Sequence, residues 1–295
     1  MPSTRDLRRR IKSIKNTSQI TKAMQMVAAS KMRRAQQTAV AGRPYAELMN
    51  HVLAQVTANT GDFTHPLMEV RPGKRSALIV VSSDKGLCGA MTNNLLKIVE
   101  NRHQVDHVYI SAGRKAATHI AKTKKELIAE FKFSDVPKFA EARAIAKFAI
   151  KAYLDGEVDR VDVLFTNFIN TLTQEPETYQ LLPVGKVEAL SVGVEGQETS
   201  ADLDSIDVID QEYVFEPTAE NVFISLLPHY LNYRLYQILL ESKASEHSSR
   251  MVAMKNATDN AKQLIKDLTL EYNKVRQAAI TNELLEITSA AMAVG

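Results

Sequence analysis

Toward the C-terminus, seam positions recur at alternating steps of four and three: Leu240, Ala244, His247, Met251, Met254, Thr258, Ala261, Ile265, Leu268, Tyr272, Val275 and Ala279. This is a heptad seam, broken in its apolar character only by His247 and Thr258. A 3.5-residue repeat sustained over about five heptads favours a left-handed supercoil with a second helix. Neither Gly nor Pro occurs between Tyr230 and Val294, so a continuous helix is expected from about Thr218, bent at Pro228 where a backbone donor is lost. At 1.5 Å per residue, about 75 residues extend on the order of 110 Å, too far for a compact domain to enclose.

The N-terminal stretch supplies a partner of weaker pattern: Leu7, Ile11 and Ile14, then Ile20, Met24 and Val27, then Ala35, Ala39 and, past Pro44, Leu48, Val52 and Val56. Its phase slips between Ile14 and Ile20. Small residues (Ala23, Ala28, Ala29, Ala35) replace large ones, which allows close approach of two helices. An antiparallel pair is the natural expectation; the alternative is that each helix packs on an unrelated core.

Between the helices the period changes. Ser76–Ser82 reads as a buried strand and Ala90–Asn101 as a helix. A strand at His107–Ser111, a helix at Arg114–Lys122, a strand near Leu127–Phe131 and a helix at Glu141–Leu154 follow, with Val161–Asn167 and Tyr179–Pro183 as a closing pair of strands. Strands alternating with helices predict a mostly parallel sheet covered on both faces, with an antiparallel edge. Gly185–Asp210, rich in Gly, Ser, Asp and Glu, reads as a loop or linker. The organisation expected is an N-terminal coiled-coil helix (1–60), an inserted α/β domain (74–184), an acidic linker (185–216) and a C-terminal coiled-coil helix (217–295).

Composition adds little until it is resolved along the chain. The formal net charge of +3 names no partner, and a hydrophobic share of 45% is enough for a real core. The charge is unevenly placed: ten Lys or Arg against Asp6 up to Arg34, and ten acids against Lys186 from Val184 to Glu220. The single Cys88 excludes an internal disulfide and a cysteine-cluster metal site. No run approaches eighteen apolar residues, and the Arg-rich start passes directly into a patterned helix rather than into a signal's apolar stretch.

Three places invite chemistry. Ser82-Ser83-Asp84-Lys85-Gly86-Leu87-Cys88-Gly89 lies between a strand and a helix, where α/β folds bind phosphate. It matches neither GxGxxG nor GxxxxGK[ST], and its glycines are equally explained by a tight turn. Cys88 has no recognisable histidine base, the seven histidines show no ligand spacing, and Glu283 and Glu286 have no sign of a pocket. The basic helix, with Arg8, Arg9, Arg10, Lys12, Lys15, Lys22, Lys31, Arg33 and Arg34, suits phosphates or acidic protein loops alike. Aromatic residues that would stack on bases are absent before Tyr45. The residues alone therefore leave open a coiled coil that meets acidic protein loops, a nucleotide-binding α/β enzyme, and a coiled-coil nucleic-acid-binding protein.

Four segments point to one family: IKSIKNTSQITKAMQMVAASKMRRAQ at Ile11–Gln36, SSDKGLCG at Ser82–Gly89, ASEHSSRMVAMKNATDNA at Ala244–Ala261 and KVRQAAITNELLEITSAA at Lys274–Ala291. Over essentially its whole length the chain resembles the gamma subunit of rotary F-type ATP synthases, bacterial in type. Ala290 stands where that family usually carries Gly, a change that favours a helix by roughly 0.5–1 kcal/mol.

The resemblance implies a long antiparallel coiled coil with an inserted Rossmann-like α/β domain. It implies a single-copy rotor within a ring of alpha and beta subunits, seated with epsilon on a c-subunit ring. Such a chain has no cofactor, no metal, no catalysis of its own and no nucleic-acid partner. It meets the membrane only through the c ring, as a peripheral protein on the cytoplasmic face of the bacterial inner membrane. By the same resemblance Arg276 and Gln277 match a pair that hydrogen-bonds a beta-subunit loop, and Arg250 and Met24 match positions beside acidic beta levers. The cations Arg8, Arg9, Lys12, Lys22, Arg33 and Arg34 would face acidic beta loops, and Ala290, Ala291, Met292 and Val294 would form a small, mostly neutral bearing tip.

Overall fold

A computed structural model describes residues 3–59, 65–73, 75–102, 106–184 and 215–294. The expected acidic linker falls almost wholly on residues 185–214, outside the described residues. In chain order the elements are α1 (Thr4–Ala41), α2 (Arg43–Asn59), β1 (Arg75–Val81), α3 (Met91–Asn101), β2 (Asp106–Ala112), α4 (Arg114–Lys122), β3 (Leu127–Phe131), α5 (Phe139–Leu154), β4 (Arg160–Phe168), β5 (Gln174–Leu182) and α6 (Ala219–Val294). They form two compact units, one of Met1–Ala28 with Met251–Gly295 and one of Ala29–Arg250.

In the larger unit the strands lie in the order β3-β2-β1-β4-β5. The first four are parallel, and β5 returns antiparallel beside β4. Strand side chains alternate between two cores. Ala77, Ile79 and Val81 of β1 join Ala142, Ile145 and Ala149 of α5 together with Leu53 of α2 and Leu227 and Leu231 of α6. Leu78 and Val80 face Leu95 and Val99 of α3 and Ala116 and Ile120 of α4. Burial on both faces is why β1 reads as an unbroken apolar run. The edge strand β5 starts five residues earlier than the apolar pattern indicated. Its first half, Gln174-Glu175-Pro176-Glu177-Thr178, is largely exposed, and an edge tolerates a Pro that a central strand would not.

The N-terminal helix is divided at Gly42, where α1 ends and α2 begins. Tyr233 of α6 donates its hydroxyl to the Gly42 carbonyl at 2.6 Å, and a Cβ on Gly42 would lie 2.4 Å from that hydroxyl oxygen. Pro44, whose nitrogen has no hydrogen to donate back into α1 and whose φ suits the first turn of a helix, fits the start of α2. By contrast α6 is a single helix with Pro228 inside it, and Thr218 caps its start through Oγ1 to the Asn221 N–H.

In the smaller unit α1 and α6 run antiparallel: Arg8 meets Tyr272, and Thr21 meets Thr258. From α6, Met254, Thr258 and Ala261 are buried, and Ile265, Leu268, Tyr272 and Val275 are half-buried. The C-terminal heptad seam is therefore real. The slip expected in the N-terminal stripe is not. The inward positions of α1 continue in phase from Leu7, Ile11 and Ile14 through Ser18 and Thr21 to Ala28, leaving Ile20 61% and Val27 54% exposed. Thr21 and Thr258 place their hydroxyls 2.7 Å apart, so a polar residue on each side satisfies the other. Ala279, the last expected seam position, is exposed. With residue 8 paired to residue 272, α1 begins too late to cover it.

Candidate functional site

The turn after β1 is where an enzyme would be sought. Its own atoms fill the anion-binding positions at the start of α4. Asp84 Oδ1 accepts from the Arg114 N–H at 2.9 Å, the Ser83 carbonyl from Lys115 at 3.2 Å, and Ser82 Oγ from Ala116 at 2.9 Å. A carboxylate of the chain thus stands where a phosphate would otherwise meet the helix N-terminus. Gly113, with φ +109°, permits this contact, since a Cβ there would lie 2.2 Å from the Ser82 carbonyl oxygen. Below the turn Cys88 is buried, its thiol packed against the Thr92 hydroxyl at 3.2 Å and the Ser83 hydroxyl at 3.8 Å.

The other side of the turn is held by α6. Ser249 donates Oγ to the Cys88 carbonyl at 2.7 Å, and Arg250 reaches the Gly86 carbonyl at 3.3 Å and the Lys85 carbonyl at 3.4 Å. Glu246 fixes that guanidinium. Its carboxylate takes Arg250 at 2.8 Å on one oxygen and Lys243 at 2.9 Å on the other. Burial alone would raise the Glu246 pKa, but the two cations hold it below the ordinary carboxylate value. His247, packed beside them, is driven down to about 4 by burial, which outweighs the Glu246 charge, and it is neutral at pH 7. Two motifs far apart in sequence, SSDKGLCG and ASEHSSRM, are therefore one docked structure.

The expected contact residues separate into groups. Arg250 lies within the docked structure just described, its side chain 11% exposed. Arg8 and Arg276 converge on one ring, with guanidinium carbons 5.8 Å and 5.9 Å from the centroid of Tyr272. Arg9, Lys12, Lys22 and Gln277 are exposed or partly exposed in the same unit, while Met24 is half-buried. Arg33 and Arg34 are exposed on the α1 segment of the larger unit. At the tip, Ala290 and Met292 are exposed; Ala291 and Val294 belong to α6, their side chains lying outside the described residues. Sequence reasoning missed Asp84, Lys243 and Glu246, because charged residues read as solvated, and Tyr272, which read only as a seam position.

Among the described residues no three His, Cys, Asp or Glu side chains are gathered as a metal ion would require. Long helices before and after an α/β fold, with the N-terminus of α4 taken by the chain's own Asp84, define the class: a helical pair carrying an inserted α/β domain.

The family model for ATP synthase matches residues 3–294. The chain is 44% identical to the ATP synthase gamma chain of Methylacidiphilum infernorum, with 100% of both chains covered. It is 48% identical to that of Opitutus terrae, with 99% of each covered. Among solved structures, the Tetrahymena thermophila mitochondrial ATP synthase central stalk and c ring includes a similar chain at 26% identity and TM-score 0.56, covering 81% of this chain and 99% of that one. A chain of the Euglena gracilis mitochondrial ATP synthase OSCP/F1/c-ring assembly shares the fold at 18% identity and TM-score 0.69, covering 99% and 94%. The chain belongs to the ATP synthase gamma chain family. It is a central-stalk rotor subunit without catalytic activity of its own, and the readings as a nucleotide enzyme or nucleic-acid binder fall away.

Proposed function

We propose that this chain turns as a single copy inside a ring of alpha and beta subunits, seated with epsilon on a c-subunit ring, and couples ion flow to ATP synthesis or hydrolysis. In this reading segments 1–60 and 217–295 make the shaft, 74–184 the inserted domain and 185–216 the linker. Each orientation of the shaft stabilises a different beta conformation, so that rotation drives the catalytic sites in sequence. The observation that carries it is the surface of α6 beyond Val275. Arg276 and Gln277 are exposed, and Ile280, Leu284, Leu285 and Ile287 are 48%, 58%, 57% and 64% exposed, a run of apolar residues that the described chain leaves uncovered.

Arg276 and Gln277 then meet a beta loop, with the planar guanidinium suited to a carboxylate. Arg8, Arg9, Lys12, Lys22, Arg33 and Arg34 attract acidic beta loops strongly enough to couple, yet exposed enough to exchange partners as the shaft turns. Met24 and Arg250 contribute at the same levers, Arg250 by presenting the turn it binds. Ala290, Ala291, Met292 and Val294 form a tip with few groups that would fix one orientation. Two bacterial relatives and the lack, among the described residues, of any helix long and apolar enough to cross a membrane support a peripheral place on the cytoplasmic face of the inner membrane.

The test is Arg276→Ala in the assembled complex. ATP turnover is expected to fall by about tenfold or more, as for a truncated interface arginine, while the unfolding of the isolated chain is unchanged. Unchanged turnover removes Arg276 from the coupling contacts.

A further inference from the structure

In open α/β folds the crevice outside the carboxyl ends of the parallel strands is where ligands bind. Here α6 occupies it. Segments beyond three strand ends meet this helix. The turn after β1 accepts from Ser249 and Arg250. The segment after β3 brings the Phe133 ring to 4.6 Å from Lys243 Nζ. The loop after β4 offers the Thr171 carbonyl to Ser248 Oγ at 2.9 Å.

The contacts are polar and directional. Lys243 is 2%, Glu246 4%, His247 1% and Ser248 0% exposed, on a helix buried from Gln237 through Ser248 at every position but Glu241. Apolar burial is non-directional and leaves one surface able to shift over another, whereas hydrogen bonds weaken steeply when their angle is lost. Ser248, Ser249 and Arg250 are consecutive, so their donors leave the helix about 100° apart around its axis. Rotation of α6 about its axis in either sense breaks at least one of them. Their acceptors are main-chain carbonyls of the loops that follow β1 and β4, and the Lys243–Glu246–Arg250 chain of charges holds the last donor in place.

We propose that Lys243–Arg250 is the torque-bearing joint of this chain, where α6 and the α/β sheet are locked against rotation relative to each other. The joint rests on the rotor reading above and adds to it the place where rotation is carried inside the subunit. Ser248, Ser249, Lys243 and Glu246 are positioning residues: they touch neither nucleotide nor ion and act by holding the helix against the loops.

The experiment uses the whole ATP synthase in sealed vesicles, with ATP hydrolysis and ATP-driven ion uptake measured together, uptake by a pH-sensitive dye or, in a sodium-driven complex, by radioactive sodium. The double variant Ser248→Ala/Ser249→Ala is expected to keep hydrolysis while ion uptake per ATP falls about thirtyfold, the equilibrium weight of the two hydrogen bonds it removes. The loss should deepen against an opposing ion gradient. Ser249→Thr, which keeps the hydroxyl, should restore uptake. Lys243→Met/Glu246→Met replaces the buried ion pair with apolar groups of similar size and should show the same slip in a chain that still folds. Uptake per ATP equal to that of the unsubstituted complex in both double variants overturns the joint, as does a proportional fall of hydrolysis and uptake with no slip. Failure of the unsubstituted chain itself to assemble and support uptake overturns the rotor reading instead.

Discussion

Two stretches of α6 invert each other's composition. From Lys243 to Ser248 the helix buries its charges, with Lys243 2% and Glu246 4% exposed; from Ile280 to Met292 it exposes its apolar residues, with Leu284 58% and Met292 85% exposed. An ordinary surface helix does the reverse. The first stretch obtains its partners from its own chain, in directions fixed by hydrogen bonds. The second has none in the described chain, and its non-directional surface suits neighbours that change as the shaft turns. In the reading proposed above one continuous helix thus combines a fastening with a bearing, and the difference lies in whether contacts specify an angle.

The largest expected effect breaks the fastening. Glu246→Ala leaves Lys243 and Arg250 without their shared counter-charge and should cost about 3–5 kcal/mol of unfolding free energy, whereas Lys243→Met/Glu246→Met leaves only the less buried Arg250 unpaired and should cost clearly less. Equal losses in chemical denaturation of both would show that the cost is packing and not charge.

Acid should act on the same stretch. His247 is held neutral with its pKa at about 4, against 6.5 for a free side chain, so the unfolded chain binds the proton first and stability is lost as pH falls from 6.5 toward 4. Protonation of Glu246, whose pKa is held low, continues the loss in the same direction at lower pH. The His247 contribution is on the order of 3 kcal/mol, and His247→Gln should flatten the profile over that window in a pH series of denaturation curves.

A smaller effect is expected in the smaller unit. Thr21→Val alone leaves the Thr258 hydroxyl without its cross-helix partner and should cost about 1–2 kcal/mol, while Thr21→Val/Thr258→Val should recover most of it, as read from a double-mutant cycle. The smallest belongs to the bearing: Leu284→Ala should change the stability of the isolated chain by no more than about 0.5 kcal/mol. A larger loss would mean that this surface is covered within the chain and would erase the contrast with the buried stretch.

The sequence by itself determined the features that depend on local period. The α6 seam from Met254 to Val275 follows from its heptads, and the strands β1 to β4 follow from apolar runs between turn residues, because burial on one or two faces imposes a pattern that a short window reveals. Its likeness to a known family also placed the chain as a rotor subunit. Only the tertiary structure decided where pattern and environment disagree. Thr21 looks like a solvent position, yet it lies on the seam, where Thr258 across it supplies a hydroxyl. The polar first half of β5 is a strand because β4 provides the ladder. Lys243 and Glu246, one helical turn apart, read as surface charges and are buried only because the loops after the strands pack over them, and Asp84, partly buried, finds its partner at Arg114 in a segment that folding must first bring alongside.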